Sequence, residues 1–254
     1  MSPATVFVDA DNTLWDTDAV FAAAQLALLA FAEEEISRGF AGSDRLAFIR
    51  DIDQRLAARH HAGLRYPPRL LAQGVALALS GVSPGQAAGL AIKGTRERQS
   101  LSGMAAAVAE EAFSSAVREL PDPRPGVREG LAALHAAGSP VLVVTEGARA
   151  RVAKTAAAHG IDRFIGRIIE APKWPDLYRR VLRLAGTPPR AFMVGDQLDR
   201  DIVPASAAGL ETIWFPGGFR PSWEPAFEDV RPSHTIESFA EVPPIVIGGA
   251  RRAS

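Results

Sequence analysis

Cysteine is absent from all 254 residues. That excludes disulfides, thiol nucleophiles, and zinc or iron–sulfur centres held by cysteine. An imbalance of charge is also absent: the formal net charge is −1, without the basic excess that tracks a nucleic-acid backbone. Lysine is scarce. Only Lys93, Lys154 and Lys173 occur, against many arginines. No apolar run reaches membrane length. The greasiest stretch, Ala19–Ala32, contains Gln25 and runs into Glu33, Glu34 and Glu35, so it reads as a buried helix rather than a span. The opening residues MSPATVFVDADNT lack a basic region followed by an apolar core, and do not read as a signal peptide. What is present is 47% apolar residues mixed with charges of both signs, the composition of a packed globular chain. The expectation is a soluble cytoplasmic protein, with length for one large α/β domain or two modest ones.

Three short, nearly continuous apolar runs stand out: Thr5–Val8, Val141–Val144 and Ala191–Val194. Such runs suit strands buried on both faces of a parallel sheet. Helical patterns follow at Val127–Ala137, Ala148–His159, Asp176–Leu184 and Arg200–Ala208, with further strands expected at Ile165–Ile169, Thr212–Phe215 and His234–Ile236. This alternation predicts a doubly wound, Rossmann-like α/β fold. Residues 16–120 read differently. They are rich in Ala, Leu and Glu, with helical spacing such as Ile49, Ile52 and Leu56, and Ser83-Pro84 marks a helix start. Four or five helices are expected there. The stiff segment Pro121-Asp122-Pro123-Arg124-Pro125-Gly126 marks the return to the sheet. The predicted organisation is an α/β core from 1–15 and 121–247, an inserted helical domain at 16–120, and a frayed tail at 248–254.

Each of the three buried runs ends in polar residues: Asp9-Ala10-Asp11-Asn12-Thr13, Thr145-Glu146-Gly147 and Gly195-Asp196. In a parallel sheet these ends share one edge, so distant pieces of chain converge where open α/β sheets bind ligands. Lys173, just before a predicted helix, is a fourth member. Asp9 and Asp11 lie where the chain turns, so one carboxylate can attack phosphorus while the other moves protons. Asp196 adds a third. Together these oxygens suit a hard divalent cation, and magnesium is favoured over a calcium cage. Taken singly, each residue has a plainer role: Asp-x-Asp marks turns, Thr145 can cap a helix, and Asp199 and Asp201 can sit near a helix start. The combination, at strand ends, carries the argument.

Asp9-Ala10-Asp11-Asn12-Thr13-Leu14, the strand ending at Thr145, Lys173, and Gly195-Asp196-Gln197-Leu198-Asp199-Arg200-Asp201 resemble, in order and strand context, the four motifs of the haloacid dehalogenase (HAD) superfamily. The helical stretch between the first two motifs resembles its C1-type cap. The resemblance implies a Mg²⁺-dependent phosphatase for a small phosphorylated metabolite. Asp9 would become an aspartyl phosphate. Asp11 would protonate the leaving alcohol and then activate water. Asp9, Asp196 and the backbone carbonyl of Asp11 would hold Mg²⁺, with Asp201, or Asp199 in reserve, behind the metal. Thr145 and Lys173 would bind the phosphoryl oxygens, grouped with Glu146 and Gly147. Some residues depart from the pattern: Gln197 replaces a small polar residue, Trp174 separates Lys173 from Pro175, and Glu146 stands where Asn or a small residue is frequent. A negative side chain beside phosphate is unfavourable, so Glu146 either points away or meets a cationic substrate group.

Rival readings are a 2-haloacid dehalogenase, a phosphomutase and a non-catalytic binding protein on the same fold. A dehalogenase does not need the Asp11 acid/base, so Asp11 together with Asp196 speaks against it. His60 and His61 have no partner spacing and read as surface or packing residues. Arg45, Arg50, Arg55, Arg59, Arg65, Arg69, Arg96 and Arg98 read mainly as solvated faces. Trp15, Trp214 and Trp223 read as core or interdomain packing, with Trp15 near the presumed hinge and so also a candidate to line the site. Neither nucleic acid nor membrane is expected as a partner. Substrate identity and oligomeric state are left open.

Overall fold

The computed structural model describes residues 3–94, 100–222, 224–226 and 229–248. Arg96, Arg98, Trp223 and the tail beyond Gly248 lie outside them. The chain divides into two compact units, Met1–Asp18 with Pro121–Ser254, and Ala19–Leu120. The division falls past residue 15 for a local reason. Trp15 bridges to Pro123, and Asp16 N–H donates to the Asp122 carbonyl (2.8 Å), which ties this stretch to the sheet unit.

The sheet unit holds six strands: β1 (Thr5–Val8), β2 (Val141–Thr145), β3 (Arg167–Glu170), β4 (Ala191–Gly195), β5 (Glu211–Trp214) and β6 (His234–Thr235). Their order is β3-β2-β1-β4-β5-β6, and every pair is parallel. The doubly wound Rossmann-like plan is therefore present. Strand order reverses between β1 and β4, and ligands in such sheets bind beyond the carboxyl ends at that point. Alternating side chains feed two cores. Val6, Val8, Val143, Phe192 and Val194 pack with Leu131, Leu134, Val152 and Val246 from α6 (Val127–Ala136), α7 (Arg149–Ala158) and α10 (Val242–Gly248). Phe7, Val144 and Met193 pack on the other face with Tyr178, Val181 and Ala205 from α8 (Pro175–Leu184) and α9 (Val203–Ala207). β1 is fully enclosed, so its carboxyl end is a rigid platform.

Two elements differ from the sequence expectation. The strand predicted at 165–169 begins at Arg167, because Ile165 N–H closes a turn onto the Asp162 carbonyl. The helix predicted from Arg200 begins at Val203. Before it, Leu198–Ile202 forms a wide π-type turn in which the Asp201 and Ile202 N–H groups both reach the Gln197 carbonyl. Such wide turns concentrate at functional sites.

The second unit is helical. α1 (Thr17–Glu35) leads into it, followed by α2 (Arg45–Arg59), α3 (Pro68–Leu79), α4 (Pro84–Lys93) and α5 (Gly103–Ala116). Asp44 and Ser102 cap α2 and α5 by accepting from Ala47 and Ala105 N–H, which satisfies donors the helix itself cannot. α3 is the central helix, buried from Leu71 through Leu77. Gly74 lets it approach α2, since a Cβ there would lie 3.0 Å from Ile52. Among the described residues no helix is long and apolar enough to cross a membrane.

Candidate active site

The loop after β1 carries the first acids. Asn12 adopts φ 58°, a left-handed conformation that Asn tolerates better than most residues. Thr13 and Leu14 N–H groups both return to the Ala10 carbonyl. This tight turn leaves Asp9 buried below it and Asp11 half-buried beside it. Arg124, in the proline-rich return segment, fastens the turn from outside. It donates to the carbonyls of Asn12, Phe215 (3.0 Å) and Pro216 (2.7 Å) and lies 3.5 Å over the Phe215 ring.

Asp9, Asp196 and Asp201 offer carboxylate oxygens that all lie within 4.8 Å of one another, and all three residues are buried. Lys173 reaches into the same group. Its ammonium donates to Asp9 Oδ1 and to Asp201 Oδ1 (2.6 Å). Asp201 Oδ2 also accepts from Gln197 N–H (3.1 Å), which helps explain the wide turn there. Gly195 is required at this place, since a Cβ would lie 2.3 Å from the Asp201 carboxyl carbon. The Thr13 hydroxyl lies 3.5 Å from Asp9 Oδ2 and 3.4 Å from Asp196 Oδ1, too long for strong hydrogen bonds.

Three carboxylates thus face one ammonium. Burial, and then Asp201, pushes the Asp9 carboxyl up to about 7 despite the opposing pull of Lys173. Burial, then Asp9 and Asp201, holds Asp196 well above the usual carboxylate range. Burial alone would lower Lys173, but Asp201 and Asp9 outweigh it and hold the ammonium well above its ordinary value. A surplus of buried negative charge raises proton affinity and attracts a cation for the same reason. The donors are all hard oxygens, which fits Mg²⁺.

Asp11 is handled differently. Its Oδ1 accepts from Trp15 Nε1 (3.0 Å), the Thr17 hydroxyl (2.8 Å) and Arg151 Nη1 (3.1 Å), while Oδ2 accepts from Arg151 Nη2. Burial opposes ionisation, but Arg151, Trp15 and Thr17 outweigh it and hold this carboxyl below the usual range. Gly147 gives the group its room, since a Cβ there would crowd Arg151 (2.8 Å), Asp11 (3.0 Å) and Thr145 (3.2 Å). Thr145 is buried, and its Oγ1 accepts from Gly147 N–H (2.9 Å). That N–H, expected to serve phosphate, is therefore already used. The Thr145 hydroxyl keeps its own proton to donate.

The structure gathers Asp9, Asp196, Asp201 and Lys173, with Asp11, Thr145 and Gly147 alongside. Two expected members differ. Asp199 lies apart from Lys173, 3.9 Å from Arg200 Nε, so Asp201 is the acid that meets the lysine. Glu146 does not present its carboxylate with Thr145. Its Oε1 accepts from Lys173 N–H (3.0 Å) and its Oε2 pairs with Arg200. Sequence reasoning missed Arg151, Thr17, Arg124 and Arg200. Arg151 carried a usable signal: it sits one helical turn after Gly147, at the start of α7. Trp15 packs fully buried and also contacts Asp11. His60 and His61 stack on each other at 4.3 Å, in the helical unit and apart from any acid cluster among the described residues.

An α/β sheet with acids at the ends of β1 and β4, a strand-end threonine and a buried lysine defines a hydrolase site of one known plan. Residues 3–209 match the family of haloacid dehalogenase-like hydrolases, and the chain belongs to that family. No curated protein sequence matches it. Among solved structures it is similar to a protein designated a predicted phosphoglycolate phosphatase from Haemophilus somnus 129PT (18% identity, TM-score 0.63, covering 96% of this chain and 97% of that one). It is also similar to the magnesium-bound protein YfnB from Bacillus subtilis, assigned as a HAD-hydrolase (20%, TM-score 0.60, 97% and 99%). A third is a 2-haloacid dehalogenase from Pseudomonas syringae pv. Tomato DC3000 (22%, TM-score 0.53, 98% and 100%). At these identities the likeness is one of fold.

Proposed function

We propose that this hydrolase is a phosphatase that cleaves a small phosphorylated metabolite through an aspartyl phosphate on Asp9. The observation that carries the reading is the surplus of buried carboxylate around Lys173. Phosphoryl transfer needs alignment and charge neutralisation more than covalent invention. Asp9 and Asp196, whose carboxylate oxygens lie within 4.8 Å of each other and of Asp201, would hold Mg²⁺. The ion would supply the positive charge that lets carboxylates and a phosphoryl group share one site.

In the first step an Asp9 oxygen forms a bond to phosphorus, the ester P–O bond breaks, and Asp11 gives its proton to the departing alcohol. In the second, water attacks phosphorus, the Asp9–phosphorus bond breaks, and Asp11 takes the water's proton. Lys173 and the Thr145 hydroxyl donate to the phosphoryl oxygens throughout. Asp11 must gain a proton before it can act as the acid. Arg151, whose side chain is 43% exposed, leaves Asp11 for the anionic substrate, and that release lets the carboxyl protonate. The helical unit is inserted just after the loop that carries Asp9 and Asp11. This supports giving it the family's cap role and the choice of substrate.

A dehalogenase would use Asp9 on carbon without a metal. The uncompensated carboxylates disfavour it, because a haloacid brings no cation to offset them. The test is a phosphoester panel with Mg²⁺, run on wild type beside Asp9→Asn, with chloride release from haloacids measured in chelator. Phosphate release lost in the variant is expected. Chloride release in chelator with no phosphate release would replace this reading by the dehalogenase.

A further inference from the structure

We propose that Glu146 is a positioning residue: its carboxylate ties together the loops after β2, β3 and β4 and so sets the place of Lys173. The contacts form a closed ring. Lys173 N–H donates to Glu146 Oε1 (3.0 Å), Glu146 Oε2 pairs with Arg200, Arg200 is bonded to Asp201, and Asp201 Oδ1 accepts from Lys173 Nζ (2.6 Å). Lys173 is thereby held at its backbone and at its tip.

The need for the backbone grip follows from the loop itself. Residues 171–174 have no regular structure. Pro172 and Pro175 have no N–H to give. Ala171 N–H donates to the Thr145 carbonyl (3.0 Å), and Trp174 N–H turns back locally onto Pro172. The Lys173 N–H is the donor that reaches another loop through a side chain. Lysine carries its charge on a flexible four-carbon stem, so a small shift of its backbone swings the ammonium away from Asp9. Arg200 anchors the far side of the bridge. Its carbonyl accepts from the Tyr178 hydroxyl (3.1 Å), which fixes the wide turn that carries it. Arg200 also draws the Glu146 charge away from the Thr145 hydroxyl, where a phosphoryl group would be repelled. The Glu146–Arg200 pair is partly exposed, 32% and 38% by side chain, and exposed ion pairs contribute little by themselves. What matters is the fixed acceptor that the pair presents to Lys173.

The inference rests on Lys173 serving the phosphoryl group, but its test need not. The chain has three lysines, and Lys93 and Lys154 are exposed while Lys173 is buried. Amine acetylation quantified by mass spectrometry therefore reports the Lys173 environment against two internal references. Glu146→Ala is expected to raise Lys173 labelling roughly tenfold relative to the others and to lower kcat roughly 10- to 100-fold, with KM within about threefold. Glu146→Gln keeps an oxygen for the Lys173 N–H and stays within about threefold of wild type in both measures. Arg200→Ala keeps the acceptor but loosens it, with a rise in labelling of about threefold. Unchanged Lys173 protection in Glu146→Ala, or an equal loss in Glu146→Gln, overturns the proposal. Should Glu146→Ala not fold, unchanged labelling in Arg200→Ala overturns it instead. If wild type releases no phosphate, the phosphatase reading fails while the labelling result still decides the role of Glu146.

Discussion

Each unit withdraws carboxylate from water, one acid in the helical unit and three in the sheet unit, and the two groups are settled in opposite ways. In the helical unit, Asp53 accepts from the Tyr66 hydroxyl on one oxygen and from Gln25 Nε2 (2.9 Å) on the other, while Arg50 Nε reaches Gln25 Oε1 (3.4 Å). Burial raises the Asp53 carboxyl, and Tyr66, Arg50 and Gln25 offset part of that. One acid has its donors on both oxygens, so the cluster is complete. In the sheet unit, three buried carboxylates crowd together with two of them on one ammonium, and the Thr13 hydroxyl stands 3.5 and 3.4 Å from Asp9 Oδ2 and Asp196 Oδ1. A buried polar group with partners joins helices together. A buried surplus of one charge destabilises the fold unless something binds, and is kept for what it binds.

The sharpest way to break this comparison is to exchange the consequences of loss. Asp9→Asn is expected to cut phosphate release by a factor on the order of 10⁴ or more. Its melting temperature should hold or rise, because one of the crowded carboxylates is gone. Phosphate release that survives the change would remove Asp9 as nucleophile. Next in size, Mg²⁺ should stabilise wild type by about 2.7 kcal/mol at a hundredfold excess over Kd. Thermal melts should show this shift collapse in Asp196→Asn and persist in Asp53→Asn. Asp53→Ala should do the reverse of Asp9→Asn. It strands the Tyr66 hydroxyl and Gln25 amide and costs about 1–3 kcal/mol, with kcat unchanged. A fall in kcat without a fall in stability would erase the distinction between the clusters.

The smallest effect is on pH. The Asp9 carboxyl is raised from its ordinary value of 3.8 to about 7. Between those values the folded chain binds more protons than the unfolded one, so stability falls as pH rises. The contribution is fully present below about pH 4 and lost as pH passes through about 7. In chelator, melts from pH 5 to 7.5 should therefore decline, and added Mg²⁺ should restore most at the upper end. A metal-free protein that gains stability over this range would show that Lys173 already balances the cluster.

Much of the site was legible because β-strands are read by local pattern. Thr5–Val8, Val141–Val144 and Ala191–Val194 are short apolar runs, and the polar residues that close them must lie on one edge of a parallel sheet. Asp9, Asp11, Thr145 and Asp196 follow from that alone. Lys173 follows less directly, from its rarity and its place before a helix. Of the arginines, Arg151 carried a signal but Arg124 was not legible. Arg124 is one of three non-proline residues in a stiff connector, and nothing in its spacing points to the carbonyls of Asn12, Phe215 and Pro216. Asp199 and Asp201 are both acids in one short run. The wide turn decides between them by sending Asp201 beneath Gly195, where only the missing Cβ leaves space.

The sequence by itself determined which acids stand at the strand ends, because strand period and parallel pairing leave those positions little choice. Only the tertiary structure decided how their charges are apportioned: Lys173 to Asp9 and Asp201, Arg151 to Asp11, Arg200 to Glu146. The physical reason is that electrostatic pairing depends on a few ångströms of separation and on burial. Both are set by how the loops pack, and neither is written in the order of the residues.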